Sequence, residues 1–231
     1  MLLDESRWEK MFRRINYDSL DSTNTEAKRL AEAGLCIVAN EQVAGRGRFD
    51  RVWESALGGV YVSLTYGVLP FSASLLPIVS ALAVRDVVAS FGAEASIKWP
   101  NDILIEGKKV GGILIESVQG AEVLYVIGIG INTHNIVSDA LSAASLGSVD
   151  NGAVVDALCA AFEKRFSDVD AEQLIEEYSR HCVTLGNEIT VEDAGERHSG
   201  KVTGITSQGY LILETASGAR VMQDGTLVDG R

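Results

Sequence analysis

Arg46, Arg48 and Arg51 crowd into one short segment, Gln42 to Trp53, that reads Gln-Val-Ala-Gly-Arg-Gly-Arg-Phe-Asp-Arg-Val-Trp. Guanidinium groups so close together repel one another, and each presents a planar fork of N–H donors matched to phosphate or carboxylate. Gly45 and Gly47 let bare backbone N–H groups approach the same ligand, at an entropic cost for ordering the loop. The pattern suits an anion clamp. A solvated basic turn fits the same residue types, so the segment needs partners elsewhere in the chain.

Other polar islands interrupt apolar stretches: Lys98-Trp99-Pro100-Asn101-Asp102, Lys109-Val110-Gly111-Gly112 and Gly128-Ile129-Gly130-Ile131-Asn132. Glycine inside a strand costs up to ~1 kcal/mol and packs nothing. Close approach by a ligand would explain Gly111 and Gly112, and so would a hairpin turn running into a bulge. Upstream, Asp21-Ser22-Thr23-Asn24-Thr25-Glu26 precedes a helical stretch from Ala27 to Ala33. Thr23 and Glu26 have the spacing of a capping box and Gly34 that of a C-cap. Capping leaves the hydroxyl of Ser22 and the amide of Asn24 unexplained, and both suit a polar ligand at a helix N-terminus.

Familiar catalytic patterns are absent. Nothing fits G-x-x-x-x-G-K-[ST], and neither glycine run completes G-x-G-x-x-G, so P-loop and Rossmann sites are unsupported. No G-x-S-x-G elbow exists, and His134, His181 and His198 make no H-E-x-x-H pair, which removes the hydrolase and zinc-enzyme readings.

The elements that must position these islands follow from periodicity. Trp8, Met11, Phe12 and Ile15 suit an amphipathic helix over residues 1–16. Cys36–Asn40 and Gly59–Tyr66 read as strands holding the arginine segment between them. Leu75, Leu76, Val79, Leu82, Ala83, Val87 and Phe91 repeat with a helical period over residues 72–91. Residues 97–105 and 109–117 read as a hairpin about Glu106-Gly107-Lys108, and the almost wholly apolar stretch 123–131 as a central strand. Two helices follow at 150–166, capped by Asp150, and 171–180, with a Ser-, Ala- and Gly-rich connection over 139–152 before them. Beyond Leu185, pieces at 188–192, 198–205, 210–213 and 219–223, separated by glycines, have the spacing of a small all-β barrel. A domain boundary near Thr184 divides 1–184 from 185–231.

Composition restricts the partners. With 231 residues, 46% hydrophobic, and Lys+Arg 20 against Asp+Glu 32 for a net charge of -12, the chain can bury a real core but has no broad basic face for nucleic acid. No apolar run approaches the ~20 residues of a membrane span, and the charged start lacks a signal core, so a cytoplasmic protein is expected. Cys36, Cys159 and Cys182 are odd in number and widely spaced, which predicts reduced thiols.

Taken in order, Asp21 to Asn24, Gln42 to Trp53, Lys98 to Asp102, Lys109-Val110-Gly111-Gly112-Ile113-Leu114-Ile115-Glu116 and Gly128 to Asn132 resemble the signature blocks of biotin protein ligases. The resemblance is sharp from about Asp18 to Asn132 and looser through the β-rich end. It implies an α+β fold: a mixed β-sheet flanked by helices, followed by a small C-terminal SH3-like β-barrel. Asp50 stands where the family's block has glycine, placing a carboxylate that could pair with Arg48 or Arg51. No room exists before residue 17 for the DNA-binding helix-turn-helix of some members, so no repressor role and no DNA binding are expected.

The family's reaction joins biotin to ATP, giving biotinyl-adenylate and pyrophosphate, then passes biotin to a lysine of a biotin carboxyl carrier protein. By the resemblance Lys109 is the main catalytic cation, with Arg48 and Asp102 beside it. Biotin would contact Ser22, Thr23, Asn24, Gln42, Gly45, Arg46, Gly111 and Gly112. The nucleotide would meet Arg46, Arg48, Arg51, Trp53, Asn101, Lys109 and Asn132. Mg²⁺ is the expected companion of ATP, with Asp102 the candidate carboxylate, and the enzyme would be a monomer or homodimer. A lipoate or octanoate ligase of the same fold is the alternative enzyme, and an anion-binding interaction module the non-enzymatic one.

Overall fold

The computed structural model describes residues 11–137, 143–167 and 169–229. Its larger sheet has seven strands: β1 (Arg13–Leu20), β2 (Leu35–Gln42), β3 (Val60–Tyr66), β4 (Ala95–Lys98), β5 (Asp102–Ile105), β6 (Lys108–Val118) and β7 (Leu124–Ile131). They lie in the order β1-β2-β3-β7-β6-β5-β4. Only β1 and β2 run parallel; the other neighbours are antiparallel. The apolar stretch of β7 is central, as its composition requires.

The period of two along each strand sorts side chains to two faces with different fates. Val60, Val62 and Leu64 of β3 and Ile127, Ile129 and Ile131 of β7 belong to one large core. There they meet α2 (Leu76–Ser90) and α3 (Asn151–Ser167). Fully burying a side chain of this size contributes about 1.5–3 kcal/mol. On the opposite face Leu124 and Val126 pack with Ala27, Leu35 and Ile37 in a smaller cluster under α1 (Thr23–Leu30). Farther along that face of β7 the alternation supplies Gly128 and Gly130. The helix covers half the face and the glycines leave the rest open.

Several expectations change. Of the helix read over 1–16, residues 1–10 lie outside the described residues and Arg13–Leu20 is strand β1, its pairing with β2 overriding a weak helical period. The capping box does not form: Ser22 is the N-cap and no side chain caps α1. The Thr23 hydroxyl lies 3.2 Å from Gln42 Oε1, while Glu26 accepts from Arg29 and Tyr17. These contacts, charge-assisted for Glu26, outcompete a cap. Ala31, left-handed at φ 52, ends the helix before Gly34. The arm read over 97–105 is divided into β4 and β5 by a turn with a cis Trp99–Pro100 bond, proline being unable to donate to a ladder.

By length and apolar composition Ala73–Ser90 could cross a membrane, which amends the expectation that no stretch approaches a span. Yet Ile78, Val79, Leu82 and Val88 of α2 are buried in the core. After α4 (Ala171–His181), the strands β8 (Glu188–Asp193), β9 (Glu196–Ile205), β10 (Leu211–Thr215), β11 (Gly218–Met222) and β12 (Thr226–Asp229) form an antiparallel sheet of order β11-β10-β9-β8-β12. This is the SH3-like unit, and β12 is a strand that periodicity missed. Val191, Val202, Leu211 and Leu213 join the large core, so the two sheets share one apolar interior.

Ser80 of α2 is fully buried, and its Oγ has no hydrogen-bond partner among the described residues. Ser80→Ala removes a desolvated hydroxyl and improves helix propensity, so it should raise unfolding stability by about 1 kcal/mol. A urea melt with a lowered midpoint would contradict this.

Candidate active site

The open half of the sheet is the floor of a cavity of about 390 Å³. Gly112 and Gly130 are direct partners across β6 and β7, and the indole of Trp53 lies on them. A Cβ at Gly130 would come within 2.4 Å of Trp53 Cε2 and Nε1, and one at Gly112 within 3.0 Å of Cζ3. Only glycine lets a ring approach the sheet this closely. Gly128 serves Asn24 in the same way, since its Cβ would fall 2.2 Å from Asn24 Oδ1.

Lys109 reaches this face because β6 is irregular. Leu104 pairs with Lys109 and Ile103 with Gly111, so Val110 is an extra residue bulged out of the β5 ladder. In a regular strand, residues three apart point to opposite faces. The bulge reverses that parity and sets Lys109 on the side of Gly112, with Nζ 3.3 Å from where a Gly112 Cβ would stand. Lys109 Nζ then pairs with Asp102 Oδ1 at 2.6 Å and sits 5.0 Å from the centroid of the Trp53 ring. The bulge reading of this island holds, at Val110, and what approaches Gly112 closely is the Trp53 ring and the Lys109 side chain. Gly112 faces the cavity, whereas Gly111 faces the core beside Ile103 and Ile131.

The arginine segment is a tight hairpin in which Arg46 bridges Val52 and Gly47 N–H donates to Arg51 C=O at 2.7 Å. At its base a Gly45 Cβ would meet Ser55 Oγ at 2.4 Å and the Trp53 carbonyl at 2.5 Å, so Gly45 shapes the hairpin and stands off the cavity lining. Arg46, Arg48 and Arg51 line the cavity together with Lys109. Burial pushes the Arg48 pKa down, the Asp102 charge opposes that, and Arg51 adds to it. Arg48 Nη1 donates to Asn101 Oδ1 at 3.2 Å, and Asn101 is fixed by its own Nδ2 donating to Ile113 C=O at 2.8 Å. Nη2 donates to the Asp224 carboxylate and to the Gly225 carbonyl. The partner of Arg48 is thus Asp224 of the C-terminal sheet, not the neighbouring Asp50.

The far end of the cavity is polar, and most of its side chains are buried. Ser22, Thr23 and Asn24 are each under 5% exposed. Gln42 Oε1 accepts from Thr23 N–H at 2.8 Å, and Gln42 Nε2 donates to Ser55 Oγ at 2.8 Å. Ser63 Oγ lies 2.8 Å from Thr23 Oγ1 and 2.6 Å from Asn24 Oδ1. Asn24 Nδ2 donates to Glu116 Oε2 at 2.8 Å, and Lys28 Nζ meets Oε1 at 2.6 Å. Burial pushes the Glu116 pKa up, but the Lys28 and Asn24 contacts pull it further down. Asn132 is buried at the other side, donating to Ala144 C=O at 3.3 Å.

Sequence reasoning passed over Ser63, Ser55 and Asp224. Ser63 had a usable signal, as a hydroxyl facing away from the core beside Thr65 in a mostly apolar strand. Asp224 had none, because no local pattern ties a turn near the end of the chain to Arg48.

Residues 17–132 match the Biotin/lipoate A/B protein ligase family, and residues 184–226 the Biotin protein ligase C terminal domain. The chain is 32% identical to the biotin–[acetyl-CoA-carboxylase] ligase of Mycobacterium tuberculosis, over 89% of this chain and 85% of that protein. It belongs to the biotin protein ligase family. The bifunctional ligase/repressor BirA of Bacillus spizizenii is 33% identical over 89% of this chain and 70% of its own length. The fold is that of the biotin protein ligase from Aquifex aeolicus in complex with biotin and ATP, with a TM-score of 0.80 at 24% identity, covering 93% of this chain and 97% of that one.

If the glycine floor of this ligase-family cavity exists to admit the indole, Gly130→Ala must displace Trp53. The indole N–H resonance of Trp53 should shift in a heteronuclear NMR spectrum while the chain stays folded. An unmoved resonance would reject the arrangement.

Proposed function

We propose that this cavity carries out ATP-dependent biotin–protein ligation by way of a biotinyl-adenylate. The observation that carries the reading is the convergence of Lys109, Arg46, Arg48 and Arg51 on one cavity whose other end is a buried cluster of hydroxyls and amides. Biotin is an apolar tail with a carboxylate at one end and a compact donor–acceptor ureido ring at the other. A cavity with a polar end, a glycine floor and a cationic mouth complements all three parts.

In the first step the biotin carboxylate oxygen attacks the α-phosphorus of ATP, and pyrophosphate leaves with the electron pair of the broken P–O bond. Two anions must meet, so fixed cations lower the barrier by offsetting the charge that builds on the phosphoryl oxygens. Lys109 stands where it can exchange its Asp102 partner for the incoming anions, and Arg46, Arg48 and Arg51 embrace the phosphates. Trp53 offers a flat apolar surface for adenine, and Asn101 and Asn132 add polar contacts to the nucleotide. Thr23, Ser22, Asn24 and Gln42 take the ureido ring, with Ser63 behind Thr23 and Asn24 holding them in place, and Gly112 lets the tail lie against the backbone.

In the second step the amine of a carrier-protein lysine attacks the acyl carbonyl, forming an amide and releasing AMP. The mixed anhydride is open to hydrolysis, so the arginine hairpin closed over it excludes water until the carrier docks. Asp102, released from Lys109, is the carboxylate that can receive the proton of the attacking amine.

Among the described residues no group of three or more His, Cys, Asp or Glu side chains could hold a metal ion. Mg²⁺ is commonly bound by one or two carboxylates with substrate phosphates and water. Asp102 at the cavity wall suits that arrangement, and the ion would supply further charge neutralisation at the phosphates.

The match of the C-terminal unit to the biotin ligases, together with relatives named for biotin, favours biotin over lipoate. Incubation with biotin, Mg·ATP and a biotin carboxyl carrier domain should add a biotin-sized mass to the carrier. Calorimetry should show binding of biotin and none of lipoate. Lys109→Ala should lower pyrophosphate production by ~100-fold or more, as for loss of a group that stabilises transition-state charge; production at the wild-type rate would refute the role of Lys109.

A further inference from the structure

The acceptors that receive Arg48 Nη2 come from the far end of the chain. Asp224 and Gly225 form the turn between β11 and β12, and the turn is held rigidly. Gly225 has φ 145, and a Cβ there would meet Val191 Cγ1 at 2.4 Å and the Glu192 carbonyl at 3.1 Å, so the turn is pressed flat against β8. Gly225 N–H donates to Asp224 Oδ1 at 2.8 Å, orienting the carboxylate toward the arginine. Arg48 is 19% exposed although Asp224 is 62% exposed. A guanidinium so far removed from water needs acceptors, and Asn101 alone occupies only Nη1.

The segment that carries Arg48 is tied at its base by backbone hydrogen bonds, while its tip is strained. Phe49 and Asp50 both adopt left-handed backbone, at φ 54 and 57, a region unfavourable to side chains other than glycine by about 1–2 kcal/mol per residue. The Phe49 ring is 58% exposed. Beyond those backbone bonds, the side-chain contacts of Arg48 tie this strained, open tip to the rest of the protein.

We propose that Asp224 is a positioning residue: its carboxylate latches Arg48 inside the cavity before the ligand arrives, so that the C-terminal sheet sets the grip of the arginine hairpin on the adenylate. The inference rests on the reading of Arg48 as a phosphate-binding cation. Arg48 Nε makes no hydrogen bond among the described residues, so the guanidinium can hold Asp224 and Asn101 by its terminal nitrogens and still offer a donor to an oxyanion. Preorganisation of this kind lowers the ordering cost of binding and leaves the chemistry of amine attack unchanged.

The test compares Asp224→Ala, Asp224→Glu, Arg48→Ala and the Arg48→Ala/Asp224→Ala double variant in the full chain. Three quantities are read: KM for ATP, the rate at which preformed biotinyl-adenylate dissociates, and hydrogen exchange of residues 46–52 without ligand. Asp224→Ala should raise KM and the dissociation rate about fivefold, the size expected of a half-exposed ion pair, with single-turnover transfer from bound adenylate unchanged. Exchange in 46–52 should quicken, Asp224→Glu should restore part of both effects, and in the Arg48→Ala background Asp224→Ala should change nothing further. Equal effects of Asp224→Ala in both backgrounds, unchanged exchange, or a lowered KM showing that Asp224 competes with the nucleotide would each overturn the latch. Wild-type adenylate formation and retention in Arg48→Ala would overturn the phosphate role of Arg48 itself, a failure distinct from additivity between two defective variants.

Discussion

The direct pairing of Gly112 with Gly130 is the constraint on which the rest of the site depends. Two facing residues without side chains, in the middle of a sheet, remove about a layer of packing from one face and expose backbone there. Isolated glycines in strands weaken a sheet, and this seam is tolerated because the opposite face is saturated with Ile127, Ile129, Ile131, Ile113 and Val110 against the helices. The division of labour between faces is written into the alternation itself. A side chain at either glycine would lift Trp53 from the floor, and Lys109 would lose its aromatic neighbour.

Charge is managed by the same economy of placement. Five cationic residues around one cavity, Arg46, Arg48, Arg51, Lys98 and Lys109, would repel strongly if each were bare. Asp102 partly neutralises Lys109, and Asp224 does the same for Arg48. Each carboxylate is itself held by a fixed element, Asp102 in β5 and Asp224 in a turn clamped on β8. Lys109 and Arg48 are thus stored in position without being spread apart: an arriving polyanion replaces Asp102 at Lys109, whereas Arg48 keeps Asp224 and offers its Nε. The Trp53 ring adds attraction for the Lys109 ammonium through its electron-rich face.

Much of this was legible in the residues. The density of Arg46, Arg48 and Arg51 marked the segment that lines the cavity, and the apolar β7 announced a central strand. The strand parity that brings Lys109 onto the cavity face could not be read, because a bulge is set by how two strands pair and not by either strand alone. Gly111 and Gly112 look equivalent in the chain, yet strand alternation sends one to the core and one to the cavity, and the bulge at Val110 brings Lys109 to the cavity side. The capping box at Thr23 was misread for a related reason. Local spacing predicts a cap, but Gln42, brought near by the parallel pairing of β1 and β2, takes the hydroxyl instead. Asp224 lies beyond any local rule, since its contact depends on how the second sheet docks on the first through the shared core.

The chain as a whole carries a net charge of -12, and the nucleotide proposed for the cavity is also an anion. Long-range attraction therefore does not gather ATP at the surface; the protein's overall field opposes it. At physiological salt that field decays over about 8 Å, whereas charges within a partly enclosed cavity are screened far less. The cations must accordingly act at contact distance, within the partly enclosed cavity. This explains why they are concentrated on one hairpin and one bulged strand and not spread over a basic face. It also explains why so much structure goes into their placement: where steering contributes nothing, affinity rests on the geometry with which each donor is held before the anion enters.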